Sequence, residues 1–266
     1  SIYHSGPFQT KKRPVGNIIT ARGCPFQCTF CENTTFETRL RLRSPEVIAD
    51  ECELLVKKYG VREFFFVDDT FTIKKDRVYK IFELLNKKGI KFPWSCMTRV
   101  TDVDDDLLKF MKKNGCWFIA LGIESGDQNV LNTIKKKITP EKAHNAINLC
   151  RKHGIVSKGF FMLGHPTETV ETMDRTINFA LESKLDYAHV TINTPMPGSE
   201  QYKNIDKYGT LDETAWEKFN YWSVVFVPHG LTPEILVEKQ QEFQKKFDFR
   251  FKVILRHLYL MFNDIN

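Results

Sequence analysis

The chain contains 266 residues, of which 42% are hydrophobic and 27% are charged, and both values are typical of globular proteins. They exclude a disordered chain and a small disulfide-dense domain, and no apolar run approaches the ~20 residues that a membrane span needs. The net charge of +6 permits an anionic partner without requiring one, so nucleic-acid binding is not favoured. Residues 1–13 lack the apolar stretch of a signal peptide, and we therefore expect a soluble, cytoplasmic protein.

Six short apolar runs alternate with amphipathic stretches along the chain. Each run is rich in β-branched or aromatic residues, as buried parallel strands are. The stretch after the first run has clear helix signals: Ser44 and Pro45 are typical of a helix start, and Gly60 is typical of its end. The predicted strands are residues 17–20, 64–67, 92–97, 117–121, 159–163 and 188–192.

Six strand–helix units in succession predict an α/β fold in which helices cover the outside of a parallel sheet. Right-handed crossovers curl such a sheet, and six units fall short of the eight in a closed barrel. We therefore favour a partial (β/α)6 parallel barrel over a doubly wound open sheet. Residues 1–14 are then a linker-like segment, residues 15–198 the partial barrel, and residues 199–266 a C-terminal extension with a long helix. That helix carries an apolar stripe at Phe243, Phe247, Phe251, Ile254 and Leu258.

The segments that follow the predicted strands are rich in glycine, proline, acids and hydroxyl side chains. In parallel barrels and in open α/β sheets, the carboxyl ends of the strands carry the functional site. Because such groups recur after every strand, we expect them to form one shared site. The segments are residues 22–31, 68–70, 98–99, 122–125, 164–166 and 194–199.

Three of the seven cysteines, Cys24, Cys28 and Cys31, follow the first predicted strand with the spacing C-x3-C-x2-C. The odd total and the lack of secretion signals argue against a disulfide framework. A structural zinc site normally needs four protein ligands, and no clear fourth ligand lies near these three. Three thiolates fit a [4Fe–4S] cluster better, and they would leave one iron open to a small molecule. The remaining cysteines, Cys52, Cys96, Cys116 and Cys150, are interpreted as structural.

The cysteine motif, with the aromatic Phe30 inside it, resembles the signature of radical S-adenosylmethionine enzymes. Five later segments resemble, in order, those of the subclass whose radical domain usually follows a cobalamin-binding domain. That subclass includes methylases, ring-forming oxidases and C–C bond-forming enzymes. One departure is Thr167, which replaces the second glycine of the family's Gly-x-Pro-Gly-Glu-Thr sequence. The matching segments are Asp68-Asp-Thr-Phe71, Thr98-Arg99, Gly122-Ile-Glu-Ser125, Gly164-His-Pro166 and Thr194-Pro-Met-Pro-Gly198.

The resemblance implies a partial (β/α)6 barrel that holds a [4Fe–4S] cluster and S-adenosylmethionine. One electron from a donor protein such as flavodoxin or ferredoxin would cleave S-adenosylmethionine to methionine and a 5′-deoxyadenosyl radical. That radical would abstract hydrogen from a substrate that the sequence does not identify. The family's cobalamin domain carries an Asp-x-His-x-x-Gly motif, which this sequence lacks. We therefore expect this chain to be the radical domain of a longer, cobalamin-dependent enzyme for methylation or rearrangement. The alternative is a stand-alone enzyme that never uses cobalamin and whose whole chemistry is hydrogen abstraction.

The resemblance also assigns residues to the methionine end and the ribose of S-adenosylmethionine. Arg99, together with Thr98, would lie near the carboxylate or the ribose. The alternative for Arg99 is a surface ion pair with Asp102 or Asp104. Lys158 could reach the same carboxylate, or it could simply cap the preceding turn.

The resemblance assigns four more residues to the groups of S-adenosylmethionine that donate hydrogen bonds. Asp68 and Asp69 would accept hydrogen bonds from its ammonium group, the alternative being that they cap the next helix. Glu124 and Ser125, which follow the most apolar predicted strand, would bind the ribose hydroxyls or the ammonium group.

Apolar surfaces at Phe30 and Pro195 would cover the adenine. The three lysines at residues 135–137 are expected to be an ordinary exposed surface. Two other functions are considered: a methylthiotransferase-like tRNA-modifying enzyme and a non-enzymatic iron–sulfur module. The helical pattern after Leu231 argues against the RNA-binding barrel of the first. The five later strand-end segments argue against the second.

Overall fold

The computed structural model describes residues 10–32, 34–35, 38–214, 216–251 and 253–255. Its centre is a sheet of six parallel strands that lie side by side in chain order. Within the described residues the first and last strands do not pair, so the sheet is an open partial barrel, and the predicted α/β class is confirmed. The strands are β1 (Val15–Ile18), β2 (Glu63–Phe66), β3 (Trp94–Arg99), β4 (Cys116–Glu124), β5 (Val156–Leu163) and β6 (Tyr187–Ile192).

Each predicted strand corresponds to one observed strand, with ends that differ by up to three residues. Two strand ends lose two predicted residues each: β3 begins at Trp94, and β1 stops at Ile18. Thr20 leaves the sheet because its N–H and its hydroxyl both donate to the carboxylate of Asp68. A side chain on the neighbouring strand end therefore terminates β1, and no periodicity within β1 could predict this.

Helices connect the strands on the outside of the sheet, and most begin at side-chain caps. Ser44 accepts a hydrogen bond from the N–H of Val47 at 3.3 Å, and Gly60 ends the same helix with a φ of 66°. Asp104 and Thr169 cap two later helices. The helices are α1 (Pro45–Tyr59), α2 (Lys75–Lys87), α3 (Asp105–Lys113), α4 (Gln128–Thr133), α5 (Pro140–Lys152), α6 (Val170–Glu182), α7 (Glu200–Lys203) and α8 (Pro233–Asp248).

The main core lies between the outer face of the sheet and these helices. Phe66, Phe71 and Trp94 are fully buried there. The rings of Phe82 and Trp94 stack with centroids 4.6 Å apart, and those of Phe66 and Phe71 stack at 4.4 Å. Because the outer face is closely packed against the helices, it holds the strands in place. The inner face of the sheet is therefore left to carry a site.

The inner face of the sheet carries a different set of side chains. Alternate residues of a strand point to the same face, and paired residues of neighbouring strands lie side by side. Small residues at Ala120 and Gly122 leave open space in the middle of this face. A lower row, nearer the amino ends of the strands, is Met97, Ala120, Lys158 and Tyr187; an upper row is Arg99, Gly122, Phe160 and His189.

The C-terminal extension covers the free edge of β6. The side-chain amide of Gln240 donates to the carbonyl of Val190 at 3.2 Å. The N–H of Ile192 donates to the carbonyl of Tyr221 at 3.0 Å. Two short antiparallel ribbons lie outside the main sheet, and they pair Ala21–Arg22 with Arg41–Leu42 and Gly209–Leu211 with Phe226–Pro228.

The apolar stripe predicted for the last helix is only partly buried. Phe243 and Phe247 are buried, whereas Phe251 and Ile254 are exposed beyond the end of α8, and Leu258 lies outside the described residues. Arg250 fixes this end of the chain to α6, since its guanidinium donates to four carbonyl oxygens there and just beyond. Across the described ranges, no helix has the length and apolar character needed to cross a bilayer.

Candidate active site

The three motif cysteines lie on a loop, residues 23–32, beyond the carboxyl end of β1. The N–H of Thr29 donates to the carbonyl of Ile134 at 3.1 Å, and the carbonyl of Thr29 accepts from the N–H of Gln201 at 2.8 Å. A tight turn brings the N–H of Cys31 within 3.1 Å of the carbonyl of Cys28. Backbone hydrogen bonds to two separate parts of the chain therefore hold the loop in place.

All three thiols line one cavity of about 280 Å³ at the mouth of the partial barrel. Partial burial raises the pKa of the Cys24 thiol, and the neighbouring Cys28 raises the pKa of the Cys31 thiol. In the described part of the chain, no three His, Cys, Asp or Glu side chains are arranged to hold a single metal ion. A [4Fe–4S] cluster needs no such convergence, because each thiolate binds a different iron. The donor set therefore fits a cluster held by three thiolates.

Arg99 points from the end of β3 into this cavity. One guanidinium nitrogen lies 3.7 Å from Cys28 Sγ, another donates to the carbonyl of Lys136, and the group lies 3.7 Å from the ring centroid of Phe26. The alternative of a surface ion pair is wrong, since Arg99 is only 6% exposed. The guanidinium is thus a fixed positive charge beside the cysteine loop.

A buried ion pair forms another part of the cavity wall. Lys136 Nζ lies 2.6 Å from Glu124 Oε1, with the two side chains 7% and 10% exposed. The ammonium group also lies 5.7 Å from the ring centroid of Phe30. A Cβ atom on Gly122 would come within 2.9 Å of Lys136 Nζ, so glycine at this position makes room for the pair. The expectation of an exposed lysine surface is therefore wrong at Lys136.

Glu124 holds its place with a φ of 72°. This left-handed conformation costs a non-glycine residue about 1–2 kcal/mol. Such strain tends to persist where a side chain has a functional position, and here it directs a carboxylate into the cavity.

The two aspartates that follow β2 have different positions. Asp68 is 2% exposed, and its carboxylate accepts hydrogen bonds from the N–H groups of Thr20 and Ala21 at 2.6 Å and 3.0 Å. It fixes the turn from β1 toward the cysteine loop and does not line the cavity. Asp69 does line the cavity, from an exposed position, and its partial loss of solvent there and the nearby Asp68 raise the pKa of its carboxyl. Neither aspartate caps a helix, because α2 begins after Lys74.

The other predicted contacts of S-adenosylmethionine fall in three places. Thr98 lines the cavity, with its hydroxyl 3.3 Å from that of Thr70. Ser125 and Pro195 are buried outside the cavity lining, and the hydroxyl of Ser125 lies 2.9 Å from that of Thr176. Lys158 lines a second cavity, deeper in the partial barrel, of about 450 Å³. The contacts of these four residues with S-adenosylmethionine therefore stay predictions.

His165 and Glu168 form a buried polar group behind Phe30. The ring centroids of His165 and Phe30 lie 5.6 Å apart, and neither ring nitrogen of His165 has a hydrogen-bond partner. The Glu168 carboxylate accepts from the N–H groups of Gly164 and His165 at 2.6 Å and 2.9 Å. Between them Thr167 has a φ of 67°, the conformation that the family's glycine would adopt freely.

We expect replacement of Glu168 by glutamine to flatten the pH dependence of stability. Burial raises the pKa of Glu168 to about 8, so the folded chain keeps a proton that the unfolded chain releases above its ordinary pKa of 4.5. Stability therefore falls as pH rises toward about 8, by up to about 1.4 kcal/mol per pH unit. Burial lowers the pKa of His165 to about 3 from 6.5, so its opposite contribution is complete above pH 6.5.

Urea unfolding of the wild-type chain and the Glu168→Gln variant from pH 6.5 to 8 measures this difference. The stability of the glutamine variant relative to wild type should rise across that range. Parallel curves for the two proteins would contradict a protonated Glu168.

A larger cleft, of about 730 Å³, lies at the opposite, amino-terminal end of the strands. It is lined by Lys11, Lys12, Lys91, Lys112 and Lys113. None of the motif residues lines it, so its size alone does not make it the active site.

An open parallel barrel with three neighbouring thiols, a buried guanidinium and carboxylates at its mouth defines a class of protein: a barrel that binds a redox cluster. The model of the Radical SAM superfamily matches residues 18–180, which contain the cysteine loop and strands β2–β5. This chain belongs to the radical SAM superfamily.

Two curated relatives match most of this chain but only part of their own length. An uncharacterized methyltransferase of Pyrococcus horikoshii is 33% identical over 247 residues, which are 92% of this chain and 54% of the relative. An anaerobic magnesium-protoporphyrin IX monomethyl ester cyclase of Rubrivivax gelatinosus is 32% identical over 240 residues, which are 89% of this chain and 42% of the relative. The chain thus spans about half the length of these relatives.

The fold also matches solved structures. The radical S-adenosylmethionine methyltransferase TsrM of Kitasatospora setae, solved with cobalamin and a [4Fe–4S] cluster bound, aligns with a TM-score of 0.65 and 18% identity. The alignment covers 88% of this chain and 46% of that one. At this identity, the match supports the partial barrel fold.

Proposed function

We propose that this chain is the catalytic barrel of a radical S-adenosylmethionine enzyme that abstracts hydrogen from an unreactive carbon. The observation that carries the proposal is the cavity that brings Cys24, Cys28 and Cys31 together with Arg99 and Asp69. Three thiolates are suited to hold the cluster. A guanidinium and a carboxylate beside them are suited to the carboxylate and ammonium of an amino acid such as the methionine part of S-adenosylmethionine.

Bound together, the cluster and S-adenosylmethionine would supply the 5′-deoxyadenosyl radical. Arg99, next to Cys28, would hold the carboxylate of S-adenosylmethionine and offset the negative charge of the thiolates. Asp69 would accept hydrogen bonds from the ammonium group. Phe26 and Phe30 would cover the ligand and exclude water, which protects a reactive radical from side reactions.

The names of the relatives include methyltransferases and a ring-forming cyclase. We propose that this barrel serves a methyl transfer or an oxidative ring closure, with cobalamin bound outside the barrel and an electron supplied by a protein such as flavodoxin or ferredoxin. All seven cysteines are free thiols, which fits a reducing compartment such as the cytoplasm. The methylthiotransferase alternative is not favoured, because the segment after Leu231 forms helix α8.

Anaerobic reconstitution with iron and sulfide, followed by reduction and addition of S-adenosylmethionine, tests the proposal. We expect 5′-deoxyadenosine and methionine to appear in equal amounts, slowly and without added substrate. Omission of the reductant is the control, and it should give neither product. A chain that is fully loaded with cluster and yet neither binds nor cleaves S-adenosylmethionine would favour the non-enzymatic module.

A further inference from the structure

The second cavity, deeper in the partial barrel, lies next to the cavity at its mouth and shares lining residues with it. Met97, Ala120 and Phe160 line both. The register places Lys158 in the lower row, two residues before Phe160 on β5. Because a strand rises about 3.3 Å per residue, Lys158 lies about 7 Å deeper than the upper row. A molecule in this space could therefore reach from Lys158 to the candidate active site.

The ammonium group of Lys158 has no ion-pair or hydrogen-bond partner among the described residues. The ammonium nitrogen lies over the ring of Phe160, 4.9 Å from its centroid. Burial lowers the pKa of Lys158, and no nearby carboxylate opposes this effect. Glu63 lines the same cavity, but its carboxylate already accepts from the N–H groups of Lys11 and Lys12 and from the indole of Trp117.

Charged side chains are rarely buried without a counterion, because removal from water is costly. An unpaired, half-buried ammonium group in a cavity is thus suited to an anion that is bound there.

The walls around Lys158 are mainly aromatic and apolar. Phe65, Phe118 and Phe160 line the deeper cavity. At the upper row, the ring of His189 lies edge-on to both Phe160 and Trp222, with centroid distances of 5.7 Å and 5.0 Å. Such walls bind flat, apolar or conjugated bodies well.

We propose that Lys158 binds the acidic group of a substrate whose flat, apolar body lies along Phe160. The bound acid is a carboxylate or a chemically similar anion, and the carbon that reacts lies about one row, or 7 Å, from it. That the anion belongs to a substrate rests on the proposed function. The other possible source of a carboxylate is S-adenosylmethionine itself.

Two fluorescent probes of matched shape test this site on the cluster-loaded chain. They are 8-anilinonaphthalene-1-sulfonate, which carries an anionic group, and N-phenyl-1-naphthylamine, which has the same rings without it. In Lys158→Met, we expect the Kd of the anionic probe to rise about tenfold, the size of a lost charge-assisted hydrogen bond. The Kd of the neutral probe should change less than twofold, and Lys158→Arg should restore binding of the anionic probe.

Two further variants locate the probes. Lys91→Met, in the cleft at the other end of the strands, should leave both dissociation constants unchanged. Ala120→Leu, which fills the lower row, should weaken binding of both probes. Lys158→Gln replaces Lys158→Met if the methionine variant does not fold.

An equal rise in the Kd of both probes in Lys158→Met, or no rise in the Kd of either, would overturn the proposal. A raised Kd for S-adenosylmethionine in Lys158→Met, with binding of the anionic probe unchanged, would assign the lysine to that carboxylate instead and would also overturn it. These measurements involve no turnover, so failure of radical cleavage would count against the proposed function and not against the anion site.

Discussion

Replacement of Cys28 by alanine will abolish the ability of the chain to take up iron and sulfide. Cys28 is the buried member of the three motif cysteines, and a guanidinium nitrogen of Arg99 lies 3.7 Å from its sulfur. A cluster that already lacks a fourth protein thiolate would be left with two thiolates among the described residues that line the cavity. Iron and acid-labile sulfide, measured after anaerobic reconstitution, should fall to background.

Cys52 and Cys150 are the matched controls for this variant. Both are fully buried free thiols in the core, away from the cavity. Alanine at either position should lower stability modestly, because it removes a small buried group, and should leave cluster content unchanged. Full iron and sulfide content in the Cys28→Ala protein would refute the assignment of the ligands.

Replacement of Lys136 by methionine will lower the free energy of unfolding by about 3–5 kcal/mol. The variant leaves Glu124 buried without its counterion, and the two side chains are 7% and 10% exposed in the native pair. Lys135 offers an adjacent control, because its ion pair with Glu200 is about half exposed on both sides. Lys135→Met should change the stability by less than about 1 kcal/mol. Urea unfolding of the cluster-free chain measures both.

The double variant Glu124→Gln/Lys136→Met separates the charge effect from packing. Removal of both charges should be less destabilising than the sum of the two single changes, because no unpaired buried charge remains. The buried ion pair would not be stabilising if Lys135→Met and Lys136→Met lowered the free energy of unfolding equally. Simple additivity of the two changes in the double variant would contradict it as well.

The sequence predicts the scaffold well because its signals are local. Short apolar runs, the cap at Ser44 and the end at Gly60 depend on residues close together in the chain, and all of them hold in the structure. The cysteine motif predicts the place of the site, since parallel strands bring their carboxyl ends together. Arg99 ends β3 and lines the cavity at the barrel mouth for the same reason.

The errors arise where tertiary contacts decide between similar residues. Lys135 and Lys137 have positive φ values, and this backbone turns the identical residue between them, Lys136, into the cavity. Nothing in a run of three lysines marks the middle one as buried. Asp68 and Asp69 are equally indistinguishable as a pair, and only the position of Thr20 just beyond β1 makes Asp68 structural. Thr167 is different, because its replacement of the family's glycine is visible in the sequence. The backbone at Thr167 is left-handed.

The bonds that hold the C-terminal extension on β6 also bear on self-association. An edge strand with free N–H and C=O groups can pair with the sheet of another molecule. Here Gln240 and Tyr221 occupy backbone groups of that edge, and Arg250 ties the same segment to α6. Loss of α8 would therefore uncover a strand edge that can pair with the sheet of another molecule. The extension thus limits aggregation of the open barrel, in addition to covering its core.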